Sequence, residues 1–173
     1  LDCDGNKIYF GLNKNRKEKS TSLIAPLQHI TFTSKNLDNF VQFYVEKLGF
    51  KISDKVLNKD GKLTTCFMRS NQEHHTVACF LSKKSGLDHF SFEAGTWEWI
   101  KNWCDHFSKL NIQLIWGPGR HGPGNNLFAF IEDIDGNKIE ISAELEIVHD
   151  RQVKKWPHEP RTLNLWGSAI MRS

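Results

Sequence analysis

The sequence predicts an α+β protein in which two βαβββ units form a cupped, mixed or antiparallel sheet. Between residues 27 and 143 a strand, a helix and three strands are followed by the same order again. The two units begin alike, as His29-Ile-Thr-Phe32 and His89-Phe-Ser-Phe92. Both openings alternate as a strand does when its two faces differ in polarity. The match indicates that one structural unit is used twice.

The first unit begins with an alternating strand over 27–33. Asn36 or Asp38 then starts a helix with a broad apolar face, and Gly49 ends it. Three further strands are expected near 50–57, 63–70 and 75–82.

The second unit opens with a strand over 87–93 and a helix from about Thr96 to Leu110. Its remaining strands are expected near 112–117, 127–132 and 138–143. Residues 117–126 form a loop too rich in Gly and Pro to be flexible filler, and it contains His121. Such loops hold functional groups on a rigid scaffold.

A repeat near the N-terminus predicts part of another unit. Residues 4–10 share the turn and the alternation of residues 135–141, but Tyr9 takes the place of Glu140. We therefore expect residues 1–11 to be the end of a truncated, non-catalytic N-terminal module.

The rest of the chain divides by composition. Residues 12–26 are rich in Lys, Asn and Ser and read as a linker. We expect residues 27–143, which contain both units, to form the main domain. Residues 144–173 are polar and irregular but contain Trp156 and Trp166, so we expect this tail to pack over the domain.

Composition narrows the function classes. With 39% hydrophobic and 12% aromatic residues, the chain of 173 residues can bury a core. The net charge of +3, from interspersed charges, gives no basis for nucleic-acid binding, and no apolar run suggests a membrane span. Four cysteines without a CxxC pair indicate reduced thiols in the cytoplasm. Cys66 and Cys79 fall in strands that could be neighbours, and we read them as small apolar core residues.

The matched histidines suggest a metal site. A single histidine on a strand face is more commonly an ordinary polar residue, but His29 and His89 occupy equivalent positions of the two units. Glu140 shares a strand with two isoleucines and faces away from them, so it offers a third ligand. Two histidines and a carboxylate are the ligands of non-haem Fe(II) sites. They also accept Mn(II), and related sets hold Zn or Ni, so ligand type leaves the metal open.

Two further histidines are candidates for moving protons. His75 follows His74 at a strand end, where a solvated pair is the simpler interpretation. Beside a metal site, however, a histidine can transfer protons because its pKa lies near working pH. His121 in the glycine-rich loop is a candidate for the same reason.

Several motifs in fixed order carry a family resemblance. They are Leu27-Gln-His-Ile30, His75-Thr-Val-Ala78, Leu87-Asp-His-Phe90, Gly117-Pro-Gly-Arg-His-Gly122 and Asp135-Gly-Asn-Lys-Ile-Glu140. As a set they resemble the type I extradiol ring-cleaving dioxygenases. These belong to the vicinal oxygen chelate superfamily with the glyoxalase and bleomycin-resistance proteins. The match covers 27–143, and Trp166-Gly167 resembles part of the family's tail.

The resemblance implies a role for each candidate. His29, His89 and Glu140 would bind Fe(II), or Mn(II) as in some relatives. A small aromatic diol would chelate the metal through its adjacent oxygens, and O2 would open the ring to a semialdehyde-type acid. His75 would be the acid–base residue, and His121 would hydrogen-bond to substrate or intermediate.

Two positions depart from the family pattern. Phe130 stands where the family has a tyrosine that donates a hydrogen bond to the substrate, and it has no hydroxyl. Trp116 lies where some relatives have an arginine that binds a substrate carboxylate. We therefore expect a substrate with an apolar or aromatic substituent, lined by Trp116, Phe130 and Thr31.

Three functions remain open from the sequence. The first is catechol cleavage by O2, and the second is a glyoxalase-like lyase or isomerase reaction. The third is sequestration of a small molecule as in bleomycin-resistance proteins, which would need no metal ligands. We further expect a homo-oligomer. The particular catechol, the metal and the number of subunits do not follow from the sequence.

Overall fold

The computed structural model describes residues 1–9, 23 and 25–171. Its strands are β1 (Leu27–Ser34), β2 (Lys51–Leu57), β3 (Leu63–Arg69), β4 (Val77–Leu81), β5 (Gly86–Gly95), β6 (Trp116–Arg120), β7 (Leu127–Glu132), β8 (Lys138–Ala143) and β9 (Lys154–Pro157). Its helices are α1 (Leu37–Gln42), continued by a π-helical segment (Phe43–Lys47), α2 (Trp97–Lys109) and α3 (Pro160–Leu163).

The described strands form one mixed sheet in the order β6-β7-β8-β5-β1-β4-β3-β2-β9. In each βαβββ unit the first strand pairs in parallel with the last, β1 with β4 and β5 with β8. The two units join where β1 pairs antiparallel with β5. The predicted α+β fold of paired units is confirmed.

The helices cover the outer face of the sheet. Phe40 of α1 packs with buried side chains of β3 and β4. Ile100 and Phe107 of α2 pack on β7 and β8 in the same way. Because side chains alternate along a strand, the neighbours of these outer residues point to the opposite, inner face. Glu140, between two outer-face isoleucines, is one of them.

The sheet is strongly curved. Phe80 of β4 belongs to the same buried cluster as Trp116 and Phe130 of β6 and β7. In the sheet, β4 and β7 are separated by β1, β5 and β8. Their side chains can meet only if the inner face closes on itself, so this face forms the predicted cup.

The strand predicted near 112–117 is wrong in position. The strand is Trp116–Arg120, which enters the segment expected to be loop. Pro118 is tolerated because β6 is an edge strand and its pairing with β7 is irregular between Trp116 and Gly119. The loop proper is thus shorter than predicted.

The tail contains regular structure that its composition did not predict. Strand β9 adds to the edge of the sheet by pairing in parallel with β2. Helix α3 follows, and its Leu163 is buried among the aromatic side chains of the cup. The tail therefore closes one side of the cavity.

The repeated turn has the same hydrogen bonds in both copies. Asp2 accepts from the backbone N–H groups of Asp4 and Asn6, at 3.0 and 2.9 Å. Asp133 accepts from the equivalent groups of the second copy at 2.9 and 2.8 Å. The assignment of 1–11 to a further module stays a prediction, and most of the linker predicted at 12–26 lies outside the described residues.

Cys66 and Cys79 lie opposite each other in β3 and β4, and both are free. Burial raises the pKa of the Cys66 thiol to about 12. Both therefore serve as small core residues. In the part of the chain that is described, no helix is long and apolar enough to span a membrane.

Candidate metal centre and substrate pocket

Three side chains from three strands converge in the cup. His29 of β1, His89 of β5 and Glu140 of β8 each direct one ligand-type atom into a group whose members lie within 4.8 Å of one another. These strands are neighbours in the centre of the sheet, where the two units join. All three residues are buried.

The spacing of these atoms suits a single ion. Glu140 Oε2 lies 3.0 Å from His29 Nε2 and 3.4 Å from His89 Nε2. First-row metals bind N and O ligands at about 2.0–2.2 Å, so ligands at right angles lie roughly 3 Å apart. The donors therefore fit one divalent metal with its ligands on one side and open positions on the other.

The outer nitrogens of both histidines have partners that orient the rings. His29 Nδ1 lies 3.2 Å from Gln28 Oε1, and His89 Nδ1 lies 2.6 Å from Asp88 Oδ1. A carbonyl or carboxylate oxygen can only accept, so Nδ1 carries the proton in each ring. Each ring thereby turns its Nε2 toward Glu140, and a metal that binds here would take the place of any proton held between them.

Glu140 is held by Asn126, a residue that sequence reasoning missed. The buried Asn126 Nδ2 donates to Glu140 Oε1 at 3.2 Å and to Ser142 Oγ at 2.9 Å. This leaves Oε2 as the oxygen that faces the two histidines. Asn126 ends the glycine-rich loop, so the loop supports the carboxylate as well as carrying His121.

Electrostatics keep Glu140 ionised. Burial alone would raise the pKa of its carboxyl, but His29, His121 and His89 outweigh burial and hold the pKa well below its usual range. Burial lowers the pKa of His29, and the charge of Glu140 opposes this only in part. Burial would lower the pKa of His89, but hydrogen bonds to Asp88 and Glu140 raise it. Metal ligands must be deprotonated, so a metal that binds here displaces protons from this group.

His75 lies directly against this group. It is buried just before β4, and its ring centroid is 4.2 Å from that of His29. Burial lowers its pKa well below the ordinary value, and the neighbouring His29 and His74 add to the effect. The side chain is therefore neutral and able to accept a proton.

His121 stands on the other side of Glu140. Its Nε2 lies 3.5 Å from Glu140 Oε1, and its ring stacks on Phe128 at a centroid distance of 4.0 Å. Its Nδ1 contacts the carbonyl oxygen of Leu163, so Nδ1 is the donor. Strand β7 and the tail thus hold the ring over the cavity.

The remaining wall is apolar and aromatic. Trp116 stacks with Phe130 at 5.2 Å, and Trp116 Nε1 donates to the Ser168 carbonyl at 2.8 Å. Thr31 of β1 lies on the floor of the cavity. Among the described residues, no lysine or arginine lines the pocket, and its lining consists of His29, Thr31, Phe67, His75, Phe80, His89, Trp116, His121, Pro123, Phe130, Glu140, Thr162 and Leu163. The structure thus brings together every residue that the sequence predicted for the site.

Comparison with known proteins identifies the fold family. The family model of the Glyoxalase/Bleomycin resistance protein/Dioxygenase superfamily matches residues 27–141. The chain belongs to this superfamily. The match begins at β1 and ends in β8, so it contains all three ligand-type residues of the cavity.

Members of this superfamily with different chemistries resemble the chain. Metapyrocatechase 2 of Cupriavidus necator is 24% identical over 131 residues, which is 76% of this chain and 39% of that protein. Homoprotocatechuate 2,3-dioxygenase of Arthrobacter globiformis is 27% identical with a TM-score of 0.76, over 84% of this chain and 46% of that one. The Mn(II)-bound glyoxalase of Novosphingobium aromaticivorans is 30% identical with a TM-score of 0.75, over 84% and 47%.

The predicted resemblance to extradiol-type members of the superfamily is confirmed by these relatives. The chain spans less than half the length of each of the three proteins. The relatives support an enzyme with a catalytic metal and leave the choice between the dioxygenase and glyoxalase reactions to the site itself.

Proposed function

We propose that the chain carries the catalytic site of an extradiol dioxygenase, which cleaves a catechol-type ring with O2. The observation that supports this most directly is the position of His75. It places a neutral, buried base against the ligand group, in a cavity lined largely by aromatic side chains. Extradiol cleavage needs such a base beside the metal because the bound diol must lose protons.

The site would hold Fe(II), with Mn(II) as the alternative. His29 Nε2, His89 Nε2 and Glu140 Oε2 are the ligands that the geometry offers. When bound, the metal would fix both diol oxygens and O2 at its open positions and would stabilise the negative charge that develops there.

The histidines would move or hold the protons. His75 accepts a proton from one catechol hydroxyl and can return it to an oxygen of the product later in the reaction. His121, on the opposite side of Glu140, donates from Nε2 to substrate oxygen when it is protonated. Phe80 and Leu163 add apolar surface to the cavity.

The wall selects an uncharged substrate. A carboxylate substituent would need a cation inside the cavity, because burying an unpaired charge is costly. Beside the histidines and Glu140, the described lining offers only neutral groups, which are aromatic and aliphatic surfaces and the hydroxyls of two threonines. Trp116 and Phe130 line the cavity instead, and we propose that they, with Thr31, contact a catechol with an apolar or aromatic substituent.

Phe130 makes this site less complete than the family pattern. It lies in β7, is buried, and has its ring centroid 5.1 Å from that of His89. Loss of one hydrogen-bond donor to a developing oxyanion costs about 2–4 kcal/mol. A lower turnover than that of relatives with tyrosine follows, while binding of the ring is retained.

Anaerobic loading with Fe(II), followed by catechols in air, tests the proposal. We expect O2 uptake and a coloured ring-fission product from a catechol without an acidic side chain. His75→Ala should abolish turnover without loss of iron. Full iron occupancy with no O2 uptake for any catechol would overturn the proposal.

The second candidate is a glyoxalase-like lyase or isomerase reaction on a metal-bound diolate. The Mn(II)-bound glyoxalase, at 30% identity, and the absence of a hydroxyl on Phe130 favour it. His75 serves either reaction, but only the dioxygenase reaction consumes O2. Isomerisation of a hemithioacetal by the Mn(II)-loaded chain, without O2 uptake, would establish the second candidate.

The cellular setting follows from the thiols and is part of the proposal. Buried free cysteines such as Cys66 and Cys79 are typical of a reducing compartment, so we propose a cytoplasmic protein. The homo-oligomer expected from the sequence stays a prediction.

A further inference from the structure

A buried row of side chains extends from His75 away from the cavity. His74 Nδ1 lies 2.9 Å from His75 Nδ1, and His74 Nε2 lies 3.0 Å from Asp54 Oδ2. His74 and Asp54 are both fully buried. The proposed ring cleavage assigns no role to either residue, yet burying a carboxylate and two imidazoles is costly unless their protons are well placed.

Asp54 is ionised in this environment. Its Oδ1 accepts from Arg151 Nη1 at 2.9 Å and from the Lys154 backbone N–H at 3.3 Å, and its Oδ2 accepts from Trp156 Nε1 at 2.8 Å. Burial acts to raise the pKa of this carboxyl, but His74, Trp156 and Arg151 together bring it below the ordinary value. The row therefore ends in a fixed negative charge.

The charge determines where the protons of the row lie. A carboxylate can only accept, so in the neutral form of the His74 ring the 3.0 Å contact with Asp54 Oδ2 places the one proton on Nε2. His74 Nδ1 then carries a lone pair and accepts from His75 Nδ1. The proton of His75 is consequently on Nδ1, and its Nε2 is the unprotonated nitrogen.

The fold encloses the row. His74 donates its backbone N–H to the Glu146 carbonyl at 2.8 Å, and the ring of Phe67 packs against both histidines at 5.6 and 5.1 Å. Gly124 passes so close that a Cβ there would lie 3.0 Å from His74 Nδ1. The glycine-rich loop thus covers His74 as well as carrying His121.

We propose that Asp54 and His74 are positioning residues that hold His75 in the form protonated on Nδ1, so that Nε2 is free to take a proton from bound substrate. The use of that nitrogen on a catechol rests on the proposed function. The position of the proton on His75 does not depend on which reaction the site catalyses.

The test substitutes the carboxylate by its isosteric amide. In Asp54→Asn, Arg151 and the Lys154 N–H retain the amide oxygen at the Oδ1 position, so the NH2 group takes the Oδ2 position, where it gives up the hydrogen bond from Trp156 Nε1 and faces His74 Nε2. That nitrogen must then accept, the His74 proton moves to Nδ1, and His75 must accept at Nδ1 and carry its own proton on Nε2. Asp54→Asn thus moves the ring proton of both His74 and His75 to the other nitrogen without changing the size of the side chain at position 54.

Nitrogen-15 NMR of the histidine rings, in protein prepared without metal, reads these tautomers directly. We expect His75 to be protonated on Nδ1 in the native chain and on Nε2 in Asp54→Asn. Trp156→Phe is the matched control, because it removes another hydrogen bond to the same carboxylate and should leave the native tautomer. A native His75 protonated on Nε2, or a tautomer unchanged in Asp54→Asn, would overturn the proposal.

Turnover of the Fe(II)-loaded protein gives the second readout. We expect kcat to fall on the order of a hundredfold or more in Asp54→Asn, by analogy with wrong-tautomer variants of catalytic triads, with KM little changed. His74→Phe should lose kcat similarly, and it serves if the amide variant does not fold. Equal kcat in Asp54→Asn and Trp156→Phe would also overturn the proposal. No O2 uptake by native protein, together with the expected NMR result, would refute the dioxygenase function and leave the positioning row intact.

Discussion

Replacing Asn126 by alanine should weaken metal binding far more than it changes the fold. Asn126 is buried, and its Nδ2 holds Glu140 Oε1 at 3.2 Å and Ser142 Oγ at 2.9 Å. Without this donor the carboxylate can rotate, and Oε2 no longer faces His29 and His89 in one fixed direction. Loss of a partner that orients a metal ligand typically lowers metal affinity about 10–100-fold, or roughly 1.4–2.8 kcal/mol.

The matched control is Ser142→Ala. It removes the other acceptor of Asn126 and leaves the contact with Glu140 in place. Both variants should lose stability by about 1–3 kcal/mol, since each removes a buried hydrogen bond between Asn126 and Ser142. Only Asn126→Ala should lose metal affinity. Denaturant unfolding of protein prepared without metal measures the loss of stability separately from the loss of metal affinity.

Competition with a chelating dye under anaerobic conditions measures the affinity for Fe(II) and Mn(II). We expect Asn126→Ala to bind both metals about 10–100-fold more weakly than native protein, and Ser142→Ala to bind within about threefold of native. Equal affinities in the two variants would refute the reasoning, because the hydrogen bond to Glu140 would then contribute nothing to the ligand geometry.

Other consequences can be measured with single substitutions. Phe130→Tyr should raise kcat by roughly 10–1000-fold in an O2-uptake assay if the hydroxyl restores the missing donor, and unchanged kcat would show that no oxyanion forms beside this ring. Gly124→Ala should lower the free energy of unfolding by several kcal/mol, because its Cβ would meet Leu145 Cδ1 at 2.9 Å as well as His74. Gly136 also has a positive φ but open space around it, so Gly136→Ala should cost only about 1–2 kcal/mol. The pKa of Asp54 is lowered in the folded chain, so the stability contributed by its ionised form is complete above the ordinary carboxyl pKa and is lost as the pH falls. The melting temperatures of native protein and Asp54→Asn should therefore converge below about pH 4. A constant difference between them down to about pH 2 would contradict a lowered pKa.

The ligand-type residues can be predicted from the sequence because repetition and strand alternation are local signals. His29 and His89 stand at equivalent places of the two units, and the two isoleucines beside Glu140 show which face it occupies. One sheet joins the units through β1 and β5, so equivalent positions meet at its centre. A short-range pattern therefore predicts a long-range cluster.

The residues that support the cluster are not predictable in this way. Asn126 looks like the polar end of a loop, and its one available signal is its place after the glycine-rich segment. Asp54 sits in an ordinary strand, and its partners Arg151 and Trp156 lie in a tail whose composition suggested no regular structure. Contacts between residues so far apart depend on sheet curvature and on β9, neither of which any local pattern encodes.

The edges of the fold differ from the predictions for physical reasons as well. The first helix turns π-helical over Phe43–Lys47, although its apolar spacing reads as a continuous α-helix. β6 continues through Pro118 because an edge strand does not need every N–H to be paired.

Incubation of the Fe(II)-loaded protein with a neutral catechol under 18O2 tests the central claim most directly. We expect one ring-opened product that contains both atoms of the labelled oxygen, with one O2 consumed per catechol, and no product from Glu140→Ala. A product without label, formed by protein whose metal site is fully loaded, would contradict it and would place the chain among the non-oxidative members of its superfamily.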